Sequence, residues 1–169
     1  MAQTSNILVA YYSLAGGNTR RVAEALAEQL DVDLLAIQTV QPYTGSYDDV
    51  VDQGKREVDA EFEPELADFG LDPNDYDVIC IGTPTWWYTM APAVRTFMGK
   101  VDWSGKTIVP FMTNGGWPGH VIKDLEHAAK GARAVEPLEV QFDSQGMGHM
   151  VTSASEVTAW ARRVASALS

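Results

Sequence analysis

The sequence is poor in cysteine, in basic charge and in long apolar runs, and each shortage removes a class of protein. Its single cysteine, Cys80, allows no internal disulfide and no cysteine-rich metal site, as suits a reducing compartment. In the middle of an apolar stretch, Cys80 reads as a small core residue and not as a reactive thiol. No apolar run approaches the roughly 18 residues that a membrane span requires. Met1–Ser5 has no basic n-region, so a signal peptide is not expected. Basic residues number 12 against 23 acidic ones, giving a formal net charge of −11, which disfavours nucleic acid and anionic membrane surfaces as partners. The three histidines, His120, His127 and His149, show no spacing suited to zinc. No metal site is expected, and the cytoplasm is the expected location.

What remains is an ordinary folding composition. With 169 residues, 46% hydrophobic and 21% charged, the chain fits a single domain over 1–169. Much of the acid lies between Asp48 and Asp77, countered there only by Lys55 and Arg56, which reads as a solvated face or a docking patch.

Strand-like and helix-like patterns alternate along the chain. Ile7–Tyr12 is a continuous apolar run of the kind a parallel strand buried on both faces needs. Asn18 is placed to cap a helix whose Val22, Leu26 and Leu30 form one apolar face. Leu34–Val40 reads as the second strand and Val78–Thr83 as the third, the latter bounded by Asn74-Asp75 and Pro84. Pro92 suits the first turn of a helix carrying Val94, Phe97, Met98 and Val101. Thr107–Met112 is the fourth strand, followed by a helix marked by Val121, Ile122, Leu125 and Ala129, and Ala134–Val140 is the fifth. Ser153 and Glu156 stand at capping-box spacing before a last apolar stripe of Val157, Trp160, Ala161, Val164 and Leu168. The stretch from Gln41 to Leu71 is too long for a bare loop, and Tyr47, Val50, Val51 and Val58 suggest a short helix inside it.

Five strands joined by helical crossovers predict an α/β three-layer sandwich, a parallel sheet with helices on both faces. Ligands of such sheets bind at the carboxyl ends of the strands, beside strands one and three if the order is 2-1-3-4-5. Three loops converge there. The first, Ser13, Leu14, Ala15, Gly16, Gly17, Asn18 and Thr19, is a small-residue turn opening a helix, suited to closing backbone N–H groups around a phosphate. The second, Pro84, Thr85, Trp86, Trp87 and Tyr88, places three consecutive aromatics at the binding edge. The third, Thr113, Asn114, Gly115, Gly116 and Trp117, adds glycines that let backbone approach a ligand and one more tryptophan. One phosphate-shaped loop beside two aromatic ones specifies a flat ring on a phosphate chain, most simply flavin mononucleotide (FMN). A later loop carrying Met147 and His149 leaves the same edge.

These residues resemble the flavodoxin family, in particular its branch with a Pro-x-Trp-Trp turn, here Pro84, Thr85, Trp86 and Trp87. The first loop is similar to that family's Ser-x-Thr-Gly-Asn-Thr phosphate loop, with Ala15 in place of threonine and Gly17 inserted. The resemblance runs over essentially the whole chain. It implies a flavodoxin-like fold with a five-stranded parallel sheet in the order 2-1-3-4-5 and FMN as cofactor. Ser13–Thr19 would hold the phosphate and Thr85–Tyr88 would line the inner side of the isoalloxazine, with Trp86 on that face. Thr113–Trp117 would cover the pyrimidine end and outer face, with Trp117 outermost. Tyr88 replaces a frequent glycine, so the resemblance does not carry over a peptide flip towards reduced flavin.

Other readings of the topology fit poorly. A phosphorylation receiver needs acidic residues where this chain has Tyr12-Ser13 and Gly82-Thr83. A cysteine phosphatase needs an arginine at position 86, a tryptophan here. Gly105-Lys106-Thr107 precedes a strand, unlike a P-loop, and Gly99 lies one residue too far upstream. The expected function is electron transfer between redox proteins, through a partner with a basic docking face; flavin carries the chemistry and no catalytic side chain is required. The alternative is an FMN-dependent oxidoreductase that takes hydride from NADH or NADPH to reduce quinones or similar acceptors.

Overall fold

The computed structural model describes residues 6–14 and 17–168. Residues 1–5, where a leader was looked for, and Ala15 and Gly16 of the first loop lie outside the described residues. The strands are β1 (Ile7–Tyr11), β2 (Asp33–Ala36), β3 (Val78–Trp86), β4 (Thr89–Met90), β5 (Thr107–Asn114), β6 (Arg133–Ala134) and β7 (Leu138–Gln141). The helices are α1 (Asn18–Ala27), α2 (Tyr47–Asp59), α3 (Pro92–Gly99), α4 (Val121–Ala128) and α5 (Ala154–Leu168).

The sheet order is β2-β1-β3-β5-β6, with β7 also parallel to β5 and β4 antiparallel to β3. Taking β6 and β7 together as the fifth position, this is the expected 2-1-3-4-5 order. The expected single strand over Ala134–Val140 is divided. Arg133 and Ala134 pair with the start of β5, whereas Leu138 to Gln141 pair with its end. Ala134 faces Ile108 and Leu138 faces Phe111, so the edge holds one more residue than β5 across the gap. Pro137 lacks the N–H a ladder needs, and Glu136 sits at φ 47°. Trp160 of α5 donates its indole N–H to the Glu136 carbonyl at 2.6 Å, and Arg163 pairs with the Glu136 carboxylate at 2.9 Å. The break is thereby fastened to the helix beneath it.

The period of two sorts the strand side chains onto two faces. Leu8 and Ala10 of β1, Ile79 and Ile81 of β3, and Ile108 and Met112 of β5 pack against Val94 and Phe97 of α3 and Val121 and Leu125 of α4. The intervening Val9, Cys80, Val109 and Phe111 pack against Val22 and Leu26 of α1 and Val157, Trp160 and Val164 of α5. Both faces of the central strands are covered, which explains their unbroken apolar runs.

Other differences from the sequence reading are local. Asn18 is the first helical residue of α1, not its cap; Gly17 takes that place at φ 70°, with no side-chain cap. The second strand ends at Ala36, because Gln38 and Val40 bond instead to Ala67 and Glu65. The suspected short helix in 41–71 is the thirteen-residue α2, opened by a capping box of Ser46 and Asp49. Ser153 caps α5 through its hydroxyl, which accepts the Glu156 N–H at 3.2 Å.

Burial pushes the Cys80 thiol up to about 12, since a thiolate cannot be hydrated in the core. Cys80 should therefore resist alkylation in the native protein and react only as fast as the chain unfolds; rapid labelling without unfolding would refute its core role. A Cβ at Gly82 would fall 2.3 Å from the Phe111 ring, itself 5.5 Å from the Trp160 ring. Gly82→Ala should therefore destabilise by ~1–3 kcal/mol in denaturant titration, through overpacking.

Candidate functional site

At the carboxyl ends of β1, β3 and β5 lies a cavity of about 410 Å³, lined from five segments. Leu14 comes from the β1–α1 turn; Tyr47, Val50, Val51 and Gly54 come from α2; Thr85, Trp86, Trp87 and Tyr88 come from the end of β3 and its turn. Gly115 and Trp117 follow β5, and Asp143, Ser144 and Gly146 follow β7. This is the switch point of the strand order, where β2 lies on one side of β1 and β3 on the other.

The second loop is a tight hairpin. β3 runs on to Trp86, turns through Trp87 and Tyr88, and returns as β4, with Thr85 opposite Met90 and Trp86 opposite Thr89. Both turn residues have positive φ, 50° for Trp87 and 72° for Tyr88. A two-residue hairpin turn favours such angles, and glycine or asparagine normally supplies them. Two bulky aromatics there cost of order 1–3 kcal/mol each, strain that recurs at binding sites.

The three aromatics of this segment have different surroundings. Trp86 is 9% exposed, edge-on to Tyr12 at 6.0 Å and to Tyr43 at 5.0 Å, with Gly54 of α2 against its ring. It forms the cavity floor as part of the core. Trp87 and Tyr88 are 40% and 50% exposed. The Trp87 indole N–H donates to the Val51 carbonyl at 3.0 Å, and the Lys55 ammonium lies 5.6 Å from its ring centroid. Trp117, which also lines the cavity, is 61% exposed and free to cover a ligand.

The polar residues of the other two loops serve mainly as framework. Thr19 and Thr113 are buried with their hydroxyls 2.8 Å apart, joining the start of α1 to the end of β5. Asn114 accepts the Gly116 N–H at 2.8 Å and donates to the Val140 carbonyl at 3.3 Å, closing the third loop. Of the expected site residues, Leu14, Thr85, Trp86, Trp87, Tyr88, Gly115 and Trp117 line the cavity. Ser13, Gly17, Asn18, Thr19, Pro84, Thr113, Asn114 and Gly116 stand beside it without lining it. The first turn of α1 holds no acidic residue, which leaves its N-terminal N–H groups unopposed for an anion. Arg20 is paired with Glu24 at 3.3 Å, and Arg21 donates to the Gly148 carbonyl at 3.3 Å.

Two walls were not among the expected site residues. The α2 wall depends on how the helix is laid over the Trp86 ring, although the apolar Val50 and Val51 were the visible signal. The β7–α5 loop is organised by Asp143, whose carboxylate accepts the N–H groups of Gln145, Met147 and His149 at 3.2, 2.8 and 2.7 Å. Those bonds, that from Met147 foremost, hold its carboxyl below the usual carboxylate range. The sequence reading placed this loop at the same edge through Met147 and His149, whereas Asp143, Ser144 and Gly146 are the residues that line the cavity. Among the described residues no group of three or more potential metal ligands is gathered, and no helix is long and apolar enough to cross a membrane.

The strand order, the helices on both faces and the crevice at the switch point define a doubly wound α/β protein with the flavodoxin-like fold. The chain belongs to the flavodoxin family, whose model matches residues 6–164. A protein of Bacteroides eggerthii provisionally designated a flavoprotein is 29% identical, with TM-score 0.74 over 94% of this chain and 97% of that one. Another from Bacteroides uniformis, designated likewise, is 27% identical, with TM-score 0.76 over 92% and 97%. A flavoprotein of Lactobacillus acidophilus solved in complex with FMN shares the fold at 21% identity, with TM-score 0.67 over 79% of this chain and 91% of that one. No curated protein matches the chain.

Beneath the cavity, burial raises the Tyr12 hydroxyl, and burial together with its hydrogen bond to Glu57 raises that of Tyr43. A tyrosine raised in the folded state contributes stability present below about pH 10, its unfolded value, and lost as pH climbs towards the folded one. Denaturation midpoints should therefore fall steadily above about pH 10. Tyr43→Phe, which deletes the 2.6 Å bond to Glu57, should cost ~1 kcal/mol at neutral pH and make the alkaline fall shallower. An unchanged alkaline slope would show that Tyr43 titrates freely.

Proposed function

We propose that this chain binds FMN in the cavity at the switch point and serves as an electron carrier between larger redox proteins. The observation that carries the reading is one cavity shared by the turn that opens α1 and by exposed aromatics from two further loops. The residues present fit the group. The Trp87–Tyr88 turn and Trp117 offer exposed ring surface for a flat heterocycle, over the apolar floor of Trp86. The phosphate falls to Ser13–Thr19 at the start of α1, whose first turn carries no competing carboxylate. Thr85 and the glycine backbone at Gly115 and Gly116 serve the polar edge of the ring. FMN supplies the one- and two-electron redox chemistry, and the protein binds, orients and sets the electrostatics.

Charge supports the carrier role. The net charge is −11, and the residues lining the cavity include no lysine or arginine to hold the phosphates of a nicotinamide dinucleotide. Asp143 is the charged residue among them. An acidic surround opposes added negative charge on the ring and lowers its potential. A basic partner would be steered to such a surface.

Replacing Gly16 with a bulky β-branched residue should weaken FMN far more than riboflavin; equal weakening would remove this loop from the phosphate site. Reduction by NADH or NADPH alone should be slow, and an added flavodoxin reductase should accelerate it, less so as salt shortens the Debye length to ~8 Å. Fast turnover of a quinone with nicotinamide alone, saturable and indifferent to the reductase, would make the protein an oxidoreductase instead.

A further inference from the structure

The Trp87–Tyr88 turn is strained, half exposed and built of two aromatics, yet it forms a wall of the cavity. Something must hold it, because a turn with positive φ at two bulky residues relaxes unless its surroundings fix it. On one side α2 does so through the Trp87 indole and the Val51 carbonyl. On the other side the contacts come from the loop between β5 and α4. The Tyr88 carbonyl accepts the His120 N–H at 2.9 Å. Gly119 lies so close that a Cβ there would fall 2.3 Å from the Tyr88 oxygen. Thr85 points its hydroxyl at the Pro118 carbonyl at 3.4 Å.

Behind these contacts stands one carboxylate. Asp124, in the first turn of α4, accepts the Thr89 hydroxyl on Oδ2 at 2.5 Å, and His120 Nδ1 reaches the same oxygen at 2.5 Å. Oδ2 has no hydrogen of its own to offer an imidazole while it is ionised, so Nδ1 carries the proton of that contact. Thr89 follows the turn directly, and His120 supplies the N–H that holds the Tyr88 carbonyl. Asp124 therefore grips the returning strand of the hairpin with one donor and the loop against it with the other. Its place in the first turn also sets a negative charge at the positive end of the α4 dipole.

We propose that Asp124, acting through Thr89 and His120, is the positioning residue that locks the Trp87–Tyr88 turn and so fixes the aromatic wall of the cavity. The lock exists in the protein without ligand. Only its effect on ligand binding rests on the flavin reading. It acts on the ring wall and not on the phosphate turn, which leads into α1 on the opposite face of the sheet from α4, so it makes no distinction between flavins with and without a phosphate.

The test compares wild type with Asp124→Ala, Asp124→Asn and Thr89→Val. In each ligand-free protein, amide exchange is measured at His120 and, as a reference for global stability, at Ile81. Affinities for FMN and riboflavin and the visible circular dichroism of the bound flavin follow. In Asp124→Ala, protection of the His120 amide should fall roughly ten-fold or more relative to Ile81, the scale of one charge-assisted hydrogen bond. Both flavins should weaken by a similar factor, with an altered visible dichroism at saturation. Asp124→Asn keeps an acceptor for Thr89 and should recover part of each loss. Thr89→Val removes one hydroxyl and should give a smaller change of the same kind, and it carries the test if Asp124→Ala does not fold. Unchanged His120 protection and unchanged dichroism in folded variants would overturn the proposal, as would a loss confined to FMN. If wild type binds neither flavin, the function proposed above fails, while the exchange comparison still decides the lock.

Discussion

Strand β3 is paired on both sides, and the rest of the structure depends on that constraint. β1 accompanies it from Val78 to Gly82, and β5 accompanies it from Val78 to Pro84. β1 ends two residues earlier than β5, so the sheet opens on one side of β3 just where the strand order reverses. The backbone beyond has lost its parallel partners and folds back on itself as β4. The crevice and its aromatic turn are thus consequences of unequal strand lengths around one central strand. Gly82 stands at the last β1 pairing, its missing side chain replaced by the Phe111 ring.

The molecule divides its work between the sheet and its edge. Within the sheet, apolar side chains alternate between two covered faces, and the fully buried Cys80 thiol is kept neutral by burial. At the edge, polar side chains bond within the protein: Thr19 to Thr113, Asn114 to the backbone of Gly116 and Val140, and Asp143 to N–H groups of the loop after β7. Buried or half-buried donors and acceptors have to be satisfied, and here their satisfaction joins loops that are far apart in sequence. The exposed Trp87–Tyr88 turn is held in place by Val51 and His120, so less ordering cost is left to binding there.

Much of this was legible in the sequence because it follows from short-range patterns. The apolar runs at Ile7–Tyr12, Val78–Thr83 and Thr107–Met112 need two covered faces, and the stripes of α3, α4 and α5 provide them. The three loops at the sheet edge followed from strand order. The split of the fifth strand was foreshadowed by Pro137, but its one-residue offset depends on α5, whose Trp160 and Arg163 hold Glu136 in place. Asn18 has the chemistry of a cap, yet Gly17 takes the position because the turn there needs a positive φ.

Sequence alone determined the class of fold, the sheet edge that carries the ligand crevice and the residue types gathered there, since these rest on periodicity and on loop composition. Tertiary structure decided what each residue does at that edge. It put Trp86 into the core between Tyr12, Tyr43 and Gly54 while leaving Trp87, Tyr88 and Trp117 exposed. It brought α2 and the Asp143 loop in as walls, and it joined Asp124 to Thr89, 35 residues away. Such roles depend on which side chains approach one another across long loops, and no local pattern encodes a distance in space.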